Sequence, residues 1–130
     1  IRVPVSVGEL VDKITILRIK HRKIIDPAKR ANVEVELSAL EAACLGVGID
    51  TKSGLAVELE AINEALWQIE DDIRDKERTK AFDQDFIRLA RAVYQTNDRR
   101  FASKAKINAE SGSKFREEKS YSDYGGPVKF

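Results

Sequence analysis

Three residues of the stretch Arg91–Asn108, RAVYQTNDRRFASKAKIN, are of types that recognise a ligand rather than fill a core. At about 100° per residue, Phe86, Ala90, Val93, Asn97 and Lys104 point within roughly 40° of one direction on a helix, and Arg100 flanks them. An amide and two cations thus stand where an apolar stripe should continue. A carboxamide beside two fixed positive charges can hold an anionic or hydroxyl-rich ligand. A second polar row lies upstream. Asn63, Trp67, Glu70 and Arg74 recur at helical spacing in INEALWQIEDDIR. If the two helices form a hairpin, symmetric pairing about its loop sets Ile73 against Leu89 and Ile69 against Val93. Leu66 and Asn63 then approach Asn97 and Arg100, and the two polar rows meet.

A buried polar group without a partner costs about 1–3 kcal/mol, and a charge costs more. A domain has only about 5–15 kcal/mol of net stability. The cluster must therefore be paired internally, open to water, or occupied by a ligand. The candidate ligand-binding set is Asn63, Trp67, Glu70, Asn97, Arg100, Lys104 and Tyr121. Internal ion pairing and simple solvation of charge-rich helices are the competing readings. An enzymatic alternative casts Glu70 as a base and Arg100 with Lys104 as an anion clamp for a phosphorylated or sugar-nucleotide-like substrate.

Other candidate chemistry is thinner. His21 is the single histidine, and its place on an apolar stripe reads as a satisfied core histidine. The single cysteine, Cys44, excludes an intrachain disulfide and a cysteine-based zinc cluster. Glu70, Asp71 and Asp72 are adjacent, so their carboxylates diverge around a helix and read as a solvated face rather than a metal site. No cofactor or metal is expected, and no catalytic residue is assigned. Net charge is 23 − 22 = +1. The basic residues of the first helix lack interleaved aromatics, so nucleic acid is not an expected partner. No apolar run approaches the roughly 18 residues of a membrane span. A cytoplasmic location is expected.

The elements that position these residues are helices. The chain has 130 residues, 42 % hydrophobic and 35 % charged, which is one ordinary domain with one core. Ser6 and Glu9 make a capping box opening a helix to about Ile25. On it Leu10, Ile14, Leu17, His21 and Ile24 form a stripe. Asp26-Pro27 restarts a second helix, with Val33, Leu37, Leu40 and Cys44 as its stripe. Residues 46–54 hold three glycines and form the main break. Leu59, Ile62, Leu66, Ile69 and Ile73 then repeat in heptad fashion from about Leu55 to Arg78. TKAF is a short connection, Asp83 can cap the last helix, and Gly112 can stop it. The fold class is all-α: a bundle of about four helices built on a long antiparallel hairpin, a single domain over 1–130 with an irregular tail from about 113. Residues 115–124 are expected to fold back, with a tyrosine on a helix and a glutamate near a cation of the cluster. Residues 125–130 are expected to stay free. Ile16 and Ile19 lie outside the main stripe of the first helix, so a homo-oligomer is expected to cover them.

Three stretches together resemble a known family: VPVSVGELVDKITILRIK, INEALWQIEDDIRDKE, and FIRLARAVYQTNDRRFASKAKIN running toward EEKSYSDY. The chain resembles the bacterial domain-of-unknown-function family 6165 from Val3 to Tyr124. The resemblance implies a small, mostly helical, cytosolic protein and implies no activity. The function expected from the residues is that of a helical module binding a partner protein or a small anionic ligand. A structural subunit of a larger assembly is a third reading.

Overall fold

The computed structural model describes residues 1–52 and 54–125. Four helices follow one another: α1 (Val7–Lys23), α2 (Pro27–Gly46), α3 (Gly54–Arg78) and α4 (Gln84–Ser111). The described residues contain no strand.

The local signals act where the sequence places them. Ser6 is the N-cap of α1, and its hydroxyl accepts from the Glu9 amide at 3.1 Å. The reciprocal half of the expected capping box is replaced, because the Glu9 carboxylate goes to Lys104 instead. Pro27 occupies the first turn of α2, where its missing N–H costs nothing. Asp83 caps α4 by accepting from the Phe86 amide at 3.0 Å. Gly112 ends α4 in the left-handed region at φ 65°, and the Ser113 amide closes back on the Asn108 carbonyl.

α3 and α4 form the antiparallel hairpin. Lys76 meets Asp83 and Asp85 at the connection, and Lys106 reaches toward Glu58 at the far end. α1 packs on both helices of the hairpin, whereas α2 packs on α1 alone. The bundle is therefore three helices deep where α1 crosses, and only two helices deep toward the hairpin tip. Val11, Ala56, Leu59 and Ile107 form the central apolar cluster, with Val7, Ile49 and Leu55 packed against it.

α1 uses its faces differently from the simple stripe. Gly8, Val11, Asp12, Thr15 and Ile19 are buried, and this row contacts the hairpin through the bonds described below. Ile14 and Leu17 are buried on a second row, and His21 on that row reaches α2. His21 is not a core histidine: it is part-exposed and pairs with Glu34 at 2.9 Å. Ile19 is 1 % exposed within the single chain, so it offers no surface to a second copy, while Ile16 remains half-buried.

Gly8 is required by a close approach. A Cβ there would lie 2.7 Å from the Lys104 carbonyl oxygen and 2.9 Å from Asn108 Oδ1. The Gly8 amide uses the space to donate to Asn108 Oδ1 at 2.6 Å. Two of the four orphan amides of the α1 N-terminus are thus satisfied from elsewhere, Gly8 by Asn108 and Val7 by Ser113 Oγ at 3.1 Å.

Candidate functional site

The polar cluster is centred on a residue that hydrophobic patterning passes over. Asp12 is 1 % exposed, yet it is a carboxylate in the middle of three helices. Arg100 of α4 grips it with two bonds, Nε to Oδ1 at 3.0 Å and Nη2 to Oδ2 at 2.5 Å. This is the bidentate fork that a guanidinium makes with a carboxylate. Asn63 of α3 donates through Nδ2 to Asp12 Oδ1 and to Thr15 Oγ1, both at 2.9 Å. Thr15 in turn donates to the Asp12 carbonyl at 2.8 Å. Asn63 and Arg100 therefore do converge, as the hairpin register requires, through a carboxylate supplied by α1.

Lys104 sits one turn further along α4, 5 % exposed. Its ammonium lies 2.8 Å from Glu9, 2.7 Å from Glu117 and 3.9 Å from Asp12. Burial alone would pull the lysine pKa down, but Glu117, Glu9 and Asp12 outweigh that and hold it above the usual lysine value. The fork on Asp12 is the main reason that Arg100 is likewise held above its ordinary value. Two cations thus face three carboxylates, and each cation is engaged. The arrangement ties α1, α3, α4 and the tail together as a clasp. Removing one partner of such a buried pair is expensive, which is the sense in which it fixes the packing.

The tail docks where the sequence suggests. Glu117 reaches Lys104, and the Tyr124 ring stacks edge-on against Tyr94 with centroids 5.1 Å apart. Burial and a hydrogen bond to Asp98 raise the Tyr124 pKa. Lys119 lies over the Phe101 ring at 5.3 Å. Tyr121 departs from expectation: it is 81 % exposed and faces Lys119, not the cluster, because the extended segment leads Tyr124, three residues on, to α4. The expectation for residues 125–130 falls, apart from Gly125, outside the described residues.

The remaining candidates separate from the clasp. Asn97 is half-buried on α4 and takes no part in it. Trp67 and Glu70 line an open groove of about 340 Å³ beside it. Ile16 of α1 and Leu66 and Trp67 of α3 supply its apolar walls, with buried Ile19 behind them, and Asp71, Arg74 and Arg100 its polar edge. Glu70 is bonded to Arg74 one turn away along α3. Among the described residues, no group of three or more His, Cys, Asp or Glu side chains is placed to hold a metal ion. No helix among them is long and apolar enough to cross a membrane.

Asp12, Glu9, Gly8 and Asn108 are the members of the site that sequence reasoning missed. A signal for them exists. Gly8, Asp12 and Thr15 follow one another at spacings of four and three, a row of small and polar residues on a helix that already has an apolar row elsewhere. Such a row marks a second buried face with close approach and hydrogen bonding. No curated protein and no solved structure matches the chain. A family model does match it, that of the family of unknown function DUF6165, over residues 1–128. That match spans nearly the whole chain, and the chain belongs to that family.

Proposed function

We propose that this protein is a non-catalytic helical module that docks a helical segment of a partner protein along the hairpin, anchored in the groove at Trp67. The groove carries the reading. It lies where α1 leaves the hairpin, so a further helix laid there would continue the three-helix packing toward the tip. Its walls are Ile16, Leu66 and Trp67, and aromatic residues in half-open pockets are the usual anchors of an interface. Asp71 stands at the edge, exposed and without a charge partner among the described residues. The partner chemistry that fits is an amphipathic helix with a large apolar side chain for the groove and a lysine or arginine beside it for Asp71.

An anionic ligand at the polar cluster is the weaker choice. It would have to displace Asp12 from Arg100, or Glu9 and Glu117 from Lys104. The enzymatic alternative meets the same obstacle, since its clamp is engaged and Glu70 is held by Arg74.

The test is site-specific photo-crosslinking in cells that naturally carry the protein. A photoreactive residue at position 71 should give one discrete protein adduct, and the same residue at exposed position 61 on α3 should not. Trp67→Ala, checked for retained helicity and melting, should abolish the adduct. Equal adducts from both positions, or an adduct that ignores Trp67→Ala, would refute docking in the groove.

A further inference from the structure

Two unmatched features stand together at the end of the bundle opposite the Trp67 groove. The first is the arm at residues 1–5. It lies outside any helix or strand, and its residues make no hydrogen bond or ion pair with the described residues. Ile1, Val3 and Val5 are exposed, and once the arm lies extended, alternation sets all three on one side. The second is a pocket of about 380 Å³ opening onto the apolar cluster. Val7, Val11, Val47, Ile49, Leu55 and Ile107 line it, and Glu110 lies on its rim.

We propose that the arm of one copy seats in this pocket of a second copy, reciprocally, so that the chain forms an arm-exchanged dimer. The chemistry of the two parts matches. Three β-branched side chains on one side of the arm meet six apolar side chains in the pocket. Among the described residues neither Arg2 of the arm nor Glu110 on the rim has an ion-pair partner. Complementary rim charges of this kind fix register.

The arm cannot fill the pocket of its own chain. Its root is Val7, which is itself a wall of the pocket. Entry would need a reversal at Ser6. Ser6 is held extended (φ −70°, ψ 156°) as the N-cap of α1, and its hydroxyl bonds the Glu9 amide. Pro4 biases Val3 to extended backbone as well. The same root geometry favours closure by a two-fold axis. Five extended residues reach at most about 17 Å, so the two pockets must lie close across that axis.

Sedimentation equilibrium of the full chain between about 10 and 300 µM, a range suited to weak association, tests this. The expected mass at the upper end is twice the 14.6 kDa of one chain. Deleting residues 1–5 or making Val3→Asp, both in exposed backbone, should leave a monomer with unchanged helicity. Arg2→Glu and Glu110→Arg should each weaken the dimer about tenfold, equivalent to about 1.4 kcal/mol, and the double variant should restore it. A full chain that is monomeric throughout overturns the proposal. So does a dimer indifferent to loss of the arm, which would place a second copy on another face. Failure of the double variant to restore association overturns the Arg2–Glu110 register.

Discussion

Replacing Asp12 by alanine removes the one carboxylate that three helices share. Both Arg100 bonds and one Asn63 bond go with it. Lys104 keeps Glu9 and Glu117, so its loss is partial. Arg100 loses the carboxylate it is bonded to, and its side chain is 28 % exposed, so water recovers some of the deficit. Breaking one side of a buried ion pair costs about 3–5 kcal/mol, and that partial exposure sets the expectation near the lower end, at about 3 kcal/mol. For a chain of this size the melting temperature should fall by about 10 °C. Urea and thermal denaturation of Asp12→Ala, Arg100→Ala and the double variant form a cycle. The two changes should be non-additive by more than about 1.5 kcal/mol, since the second removes a charge the first has already orphaned. A loss below about 1 kcal/mol for Asp12→Ala, or simple additivity, would mean that Asp12 is solvated and that the clasp does not organise the bundle.

Gly8→Ala should destabilise by about 1–3 kcal/mol through its clash with the α4 backbone, although alanine is the better helix former. Gly46→Ala has open space, so chemical denaturation should show no loss or a small gain. Leu59→Ala should cost about 2–5 kcal/mol at a fully buried site, and Val57→Ala, more than half exposed, less than about 0.5 kcal/mol. The Lys104 pKa is raised on folding, so its contribution is fully present below the ordinary lysine value of 10.5 and is lost as pH rises through the folded value. Lys104→Met should flatten that alkaline limb of a stability–pH profile. Glu117→Gln should speed amide exchange across residues 117–124, and unchanged protection would dissociate the tail from Lys104.

Much of the fold was legible because its signals are local. Ser6, Pro27, Asp83 and Gly112 act through the chain beside them, and the Leu59–Ile73 heptad states the hairpin directly. The pairing of Asn63 with the Arg100 region followed from hairpin symmetry. Asp12 was not legible, since a lone acid on a helix ordinarily signals solvent. Only the three-dimensional crossing of α1 turns it inward. The fate of Ile19 was hidden for the same reason: a helix packed on two sides can bury two rows within one chain, so an off-stripe isoleucine need not seek a second copy. Tyr121 and Tyr124 are alike in type and setting, and the path of an aperiodic segment decides which one reaches α4.

If the polar cluster is closed by its own residues, the Trp67 groove is left as the binding face. Proton–nitrogen NMR of the lysine ammonium and arginine Nε–H groups tests it most directly, with inorganic phosphate titrated to about 10 mM as a probe of millimolar anion binding. A closed cluster should give slowly exchanging Lys104 and Arg100 signals that do not move with phosphate. Rapid exchange of both groups, or saturable shifts confined to Arg100, Lys104 and Asn63, would contradict it and return the cluster to the role of an anion site.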